Sequence, residues 1–205
     1  MKIAIIGAGN VGGALASGWA KAGHEVILGV RNLDDSEIKA LVAANKNMSA
    51  QSVSDAAKEA EVILVSVPVA AIVDVAKSLG EVKNKIIVDA TNSIIQRPAP
   101  YAHGVEAFKA LTNCEDVVKC FNSTGFENMT NPRYGEISID MFVAGSSAKA
   151  KAVAKQLAGD LGFAECYDFG GDDKVALLEQ FALCWINLAI MQKHGRGLAF
   201  KILKR

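Results

Sequence analysis

Lys2-Ile3-Ala4-Ile5-Ile6-Gly7-Ala8-Gly9-Asn10-Val11-Gly12 opens the chain with a β-branched apolar run that stops at three glycines spaced G-x-G-x-x-G. The small and apolar residues from Asn10 to Ala22 suit a tightly packed helix, so the stretch reads strand, turn, helix. In that context each glycine has its own task. Gly7 permits a tight turn, Gly9 lets the backbone approach a pyrophosphate without a Cβ in the way, and Gly12 lets the helix close on the strand. Asn10 and Val11 begin the helix, whose N-terminus offers free N–H groups and a partial positive charge to the phosphates of a dinucleotide. Without a ligand the same residues would form only a glycine-rich turn; the flanking strand and helix favour the phosphate loop.

Outward from this unit the alternation persists. Glu25 to Val30 is a second β-rich run, and Asp34 to Ala44 carries Ile38, Leu41 and Val42 at helical spacing. Met48 to Gln51 reads as a brief third strand, after which Ser52 or Ser54 caps a short helix through Ala60. Glu61 to Val67 reads as a parallel strand buried on both faces, Val69 to Leu79 as a helix, and Lys85 to Val88 as another strand. Beyond a loop from Thr91 to His103, strands are expected at Asp116 to Phe121, Ile139 to Ala144 and Phe163 to Tyr167. Helices are expected at Gly104 to Leu111, Ala148 to Leu161 and, as one long element, Asp172 to Lys193. The pattern predicts an α/β fold: a Rossmann-type doubly wound, mostly parallel sheet over residues 1–170, then a C-terminal helical appendix over 171–205. Gly170 and Gly171 mark the boundary. A long apolar helix followed by the basic tail Lys201, Lys204 and Arg205 lacks a further strand to cover, so a homodimer is expected.

Composition narrows the partner. In 205 residues, 22 basic side chains balance 22 acidic ones, which leaves no global field for nucleic acid or an anionic membrane and points to a small molecule. Cys114, Cys120, Cys166 and Cys184 show no C-x-x-C spacing, so reduced thiols in the cytoplasm and no metal centre are expected. The apolar stretch from Phe181 to Met191 is interrupted by Asn187 and falls short of the roughly 18 to 20 residues of a membrane span, so it reads as a buried helix. His24 and His103 read as loop residues and His194 as a helix-end residue, none of them catalytic.

The end of the second strand, Gly29-Val30-Arg31-Asn32, is where such folds read the adenosine ribose. Arg31 is placed to fork onto a 2′-phosphate or stack beneath adenine, with Asn32 donating a hydrogen bond, or else to be a solvated arginine at a strand end. Asp34 and Asp35 weigh the other way, because either carboxylate turned inward favours an unphosphorylated ribose.

The glycine fingerprint, Gly29-Val30-Arg31, Val65-Ser66-Val67-Pro68, Asp89-Ala90-Thr91-Asn92 and Lys119-Cys120-Phe121-Asn122-Ser123-Thr124 occur in one order. With them, and with Leu178-Glu179 and Trp185-Ile186-Asn187 near the end, the chain resembles the NADP oxidoreductase family that includes the deazaflavin (coenzyme F420) dependent NADP reductases. It is also similar to the cytosolic NADPH-binding domain of the STEAP metalloreductases. The resemblance implies NADP(H), with a flavin or deazaflavin as the small-molecule hydride acceptor. It also implies that Ser66, Val67 and Pro68, Thr91 and Asn92, and Asn122 surround the nicotinamide and the second ring. Direct transfer between stacked rings needs proximity and orientation and no protein nucleophile, so no catalytic residue is expected. Val30 and Asp35 depart from the family, which commonly has Ser or Thr at the first position and a helpful Lys at the second.

Two other readings stay open. A 3-hydroxyacid or imine/carbonyl reductase would use Lys174 and Asn187, which lie about 20 Å apart along a continuous helix. A non-catalytic NADPH-binding redox sensor would need no second substrate.

Overall fold

Strand β1 (Lys2–Ile6) sends Ile3 and Ile5 to one face and Ala4 and Ile6 to the other, and all four are buried, so helices must cover both sides of the sheet. The computed structural model describes residues 1–205 and meets this requirement. The chain runs through α1 (Asn10–Lys21), β2 (Glu25–Val30), α2 (Ser36–Ala43), β3 (Met48–Ser52), α3 (Val53–Glu59) and β4 (Val62–Val65). It continues through α4 (Ile72–Ser78), β5 (Ile86–Asp89), α5 (Gly104–Thr112), β6 (Val117–Cys120) and α6 (Phe126–Thr130). A small hairpin, β7 (Arg133–Tyr134) with β8 (Ile137–Ser138), precedes β9 (Met141–Ala144), α7 (Ala148–Asp160), β10 (Cys166–Asp168) and α8 (Val175–Ile186).

The main sheet has the order β10-β9-β6-β5-β4-β1-β2-β3. From β3 to β6 every pairing is parallel, as in doubly wound nucleotide-binding sheets. The exception is β9, antiparallel to β6, with β10 parallel to β9. The turn-rich connection after β6, which carries α6 and the hairpin, gives no periodic signal long enough to be read in sequence. Each face has its own buried cluster. Ile3, Ile5, Leu28, Leu64 and Val118 pack against Leu15, Trp19 and Leu157 of α1 and α7. Ile6, Ile63, Val65 and Ile87 pack against Ile72, Phe108, Val175 and Leu178 of α4, α5 and α8.

The C-terminal helical stretch is a composite. Asp172–Lys174 is a turn of 3-10 helix, α8 follows, and Asn187–Met191 is a π-helical turn. Spanning the 20 residues Asp172–Met191, it is long and apolar enough to cross a membrane by length and composition. Its inner face is nevertheless part of the core, since Val175, Leu178 and Ala182 are buried and Phe181 packs edge-on to Phe142 at 4.8 Å between ring centres. Leu177, Ile190 and Met191 remain exposed on the outer face. The last residues fold back: Trp185 Nε1 donates to the Leu198 carbonyl at 2.6 Å, and Lys201 pairs with buried Asp140 at 2.7 Å.

Candidate functional site

The turn between β1 and α1 is built from backbone. Gly7 has φ +96°, where an L side chain is strained, and a Cβ there would collide with the Ser66 carbonyl. A Cβ on Gly12 would collide with the Gly7 carbonyl oxygen, so this glycine is required by packing. Gly9 differs from both. Its backbone is extended at φ −71°, open to any residue, and a Cβ built there meets nothing within 4 Å. Neither conformation nor protein packing requires glycine here, and the vacant space beside it is the cradle a phosphate needs. Asn10 and Val11 open α1, whose N-terminus has no side-chain cap and no acidic residue in its first turn. Those amides keep their hydrogen-bonding capacity for a ligand.

At the end of β2, Val30 is half-buried and Arg31 and Asn32 are exposed. The two carboxylates that weighed against a 2′-phosphate are engaged in α2 itself. Asp35 accepts from the Glu37 and Ile38 amides as the N-cap, and Asp34 pairs with Lys39 at 2.8 Å. Asn32 Oδ1 accepts from the Asp34 amide, while Arg31 forms no ion pair. Arg31 is therefore left without a carboxylate partner at the end of β2.

The loops after β4, β5 and β6 converge at the same end of the sheet. Ser66 donates its hydroxyl to the Gly7 carbonyl at 2.8 Å and so ties the glycine turn to β4. Val67 follows, its Cγ1 close against Gly7, and exposed Pro68 initiates the 3-10 turn Val69–Ala71. Asn92 and Asn122 form a reciprocal pair: Asn122 Nδ2 donates to Asn92 Oδ1, and Asn92 Nδ2 to the Asn122 carbonyl, both at 2.9 Å. Buried Phe121, just before Asn122, has φ +58°. A left-handed bulky residue costs about 1–3 kcal/mol and persists where the surroundings over-determine it, commonly at functional sites. Edge-on contact with Trp19 at 5.4 Å holds it there. Around this centre Thr91 Oγ1, Ser93 Oγ and Asn122 Oδ1 are buried with no hydrogen-bond partner. Three orphaned polar atoms at the strand ends are the side-chain complement of the open cradle at Gly9.

Three charges that sequence reasoning missed lie beneath these loops. Lys119, fully buried on β6, places Nζ 2.6 Å from Asp89 Oδ2, 2.7 Å from Glu179 Oε1 and 2.7 Å from the Thr91 carbonyl oxygen. A visible signal existed: a charged residue inside each of the apolar runs Val117-Val118-Lys119-Cys120 and Leu177-Leu178-Glu179. His103, the N-cap of α5, accepts from the Glu106 amide through Nδ1, and burial followed by the Lys119 charge holds its imidazole below the usual range.

Residues 2–93, which carry the glycine turn, the β2 end and the loops after β4 and β5, match the model of the NADP oxidoreductase, coenzyme F420-dependent family. Over that stretch the chain is similar to the family. An F420-dependent NADP reductase of Methanothermobacter marburgensis is 29% identical over 94% of both chains. A solved structure of a putative F420-dependent NADP reductase from Arthrobacter sp. FB24 superposes with a TM-score of 0.84 at 25% identity, covering 100% of both chains. An imine reductase from Myxococcus stipitatus, at 18% identity and a TM-score of 0.66, shares the fold over 94% of this chain and 62% of its own. This likeness agrees with the site. Lys174, the lysine a carbonyl or imine reductase would need, is exposed and paired with Asp173 at 2.6 Å. Burial pushes the Cys114 and Cys120 thiols up, which leaves these cysteines poorly suited to redox sensing.

Proposed function

We propose that the chain binds NADP(H) in preference to NAD(H) and transfers hydride between the nicotinamide and a flavin- or deazaflavin-type ring. The observation that carries this reading is the pairing of an open cradle with orphaned polar atoms at one end of the sheet. Gly9 and the uncapped start of α1 fit a pyrophosphate, and Thr91 Oγ1, Ser93 Oγ and Asn122 Oδ1 fit the polar edges of a ring. The names of the family and of its reductases support a deazaflavin as the second ring. Preference for the 2′-phosphate rests on Arg31, left without a carboxylate partner while Asp34 and Asp35 serve α2.

Bound nicotinamide supplies the hydride chemistry; the protein supplies binding, orientation and exclusion of water. Ser66 fixes the glycine turn, the Asn92–Asn122 pair holds two strand-end loops at a constant separation, and Pro68 limits the freedom of the loop after β4. Asp89, Lys119 and Glu179 pair with one another beneath these loops, and ring-to-ring transfer needs no protein acid or base.

Stopped-flow oxidation of C4-deuterated NADPH against free flavin, deazaflavin and a panel of small carbonyls and imines tests the reading. Deuterium appearing on a flavin or deazaflavin supports it. Turnover restricted to carbonyls or imines overturns it in favour of the reductase alternative, and binding without turnover on any panel favours the sensor. In the same protein Arg31→Ala is expected to narrow the NADPH-over-NADH preference by roughly ten- to a hundredfold. Equal affinity for the two dinucleotides before mutation would remove the NADP assignment.

A further inference from the structure

Asp89, Lys119 and Glu179 are charged, buried and unused by the function proposed above. Lys119 donates to Asp89 Oδ2 and to the Thr91 carbonyl, and its ammonium lies 2.7 Å from Glu179 Oε1, an ion-pair contact that leaves this buried oxygen without a hydrogen bond. Asp89 Oδ1 in turn accepts from the Thr91 amide at 2.9 Å. Thr91 is thus held by both of its main-chain groups, while its own hydroxyl, in a residue only 5% exposed, has no partner. Formally the cluster is one ammonium against two carboxylates, which leaves a single negative charge in the low-dielectric ground under the Thr91 loop. The neighbouring cation on α5, Lys109, is paired with Asp172 at 2.6 Å and does not cancel it. The desolvation that holds His103 below its usual range favours a neutral imidazole.

We propose that this cluster is a positioning element of the nicotinamide half of the site, and that its excess negative charge favours the oxidised ring over the reduced one. The inference rests on the dinucleotide reading above. Loss of hydride, a proton with two electrons, turns a neutral dihydropyridine into a pyridinium cation. A fixed negative charge interacts with the net charge of the cation alone, and does so most strongly away from water. The cluster therefore stabilises the product of hydride donation and predisposes the reduced dinucleotide to give its hydride up. Stability alone does not account for such a cluster, since well-packed apolar residues commonly do as well as a buried ion network.

The test is titration of NADP+ and NADPH separately onto the native protein, Glu179→Gln, Asp89→Asn and Glu179→Asp, with thermal unfolding as the check on folding. Glu179→Gln and Asp89→Asn each remove one carboxylate charge at nearly constant volume, and Asp89→Asn keeps an oxygen for the Thr91 amide. In either variant the ratio of the NADP+ to the NADPH dissociation constant is expected to rise about three- to tenfold. Glu179→Asp, which keeps the charge, is expected to stay near the native ratio. Either charge-removing variant suffices if the other does not fold. Equal weakening of both dinucleotides, with the ratio unchanged, is the signature of a merely structural role and overturns the proposal. If the native protein binds neither dinucleotide, the reading of the site fails as well, an outcome distinct from an unchanged ratio.

Discussion

The two halves of the site are built in opposite ways. The half proposed to hold the phosphates is nearly bare: Gly9 faces open space, α1 starts without a cap, and the principal side-chain tie is the Ser66 hydroxyl on Gly7. The half proposed to hold the rings is dense, with a reciprocal asparagine pair, a left-handed aromatic residue and a buried three-charge cluster within one set of strand ends. Side chains cap α2 (Asp35), α3 (Ser52), α5 (His103) and α7 (Ser147), whereas α1, like α4, α6 and α8, begins without one. A binding site made of backbone must leave its donors unsatisfied and therefore avoids side chains. A site that orients a ring must hold several loops still and therefore recruits them.

That difference predicts that stability and binding separate between the halves. The largest effect is expected in the ring half, where Lys119→Met leaves two carboxylates buried against each other. Unfolding free energy should fall by about 3–5 kcal/mol in urea titration. A loss below about 1 kcal/mol would mean that the cluster is not charged as drawn. Next comes Gly9→Asp in the phosphate half. Aspartate is a good N-cap, so α1 should be as stable as before or firmer by up to about 1 kcal/mol. Its carboxylate takes the anion's place, so dinucleotide affinity should drop about a hundredfold or more by calorimetry. A variant that loses both stability and binding would erase the contrast.

Asp35→Ala is the control at a helix end that already has its cap. A loss of about 1 kcal/mol of stability is expected, with the NADPH-over-NADH ratio unchanged, because Asp35 serves α2 and not the ribose. A changed ratio would return this carboxylate to the binding site. The smallest effect concerns pH. The His103 imidazole is held below its ordinary value of 6.5, so the unfolded chain binds the proton more readily than the folded one. Stability is then complete above that ordinary value and declines as pH falls through it. His103→Asn, which retains a capping side chain, should show a shallower loss of stability between about pH 7 and 5 than the native protein. Identical slopes would show that the histidine is as accessible to protons folded as unfolded.

How much could be read beforehand follows the same division. Strands β1, β2 and β3, helix α1 and the glycine turn were legible to within a residue or so, because alternation, glycine spacing and capping are properties of neighbouring positions. The cap between Ser52 and Ser54 was narrowed to two residues, and the structure selects Ser52. Later elements were less clear. Phe163 to Tyr167 reads as a strand in sequence, but pairing with β9 begins only at Cys166. The segment from Phe126 to Ser138 hides a short helix and a hairpin too brief to show a period. Asn92 and Asn122 were both expected near the rings, but their mutual hydrogen bonds depend on β5 lying beside β6.

The amino-acid sequence alone determined the parallel α/β architecture and the glycine turn between β1 and α1, since both follow from residue types at short, regular spacing. Tertiary structure alone decided which charges meet. Asp89, Lys119 and Glu179 come from β5, β6 and α8, and only the packing of α8 onto the sheet brings the third carboxylate to the lysine. It also decided that Arg31 has no carboxylate partner, that Asp35 is taken up by the α2 cap, and that Asp34 meets Lys39 at the surface. Local backbone preferences act over a few residues and are written in order along the chain. The energy of a buried charge depends on what surrounds it in space, which chain order does not state.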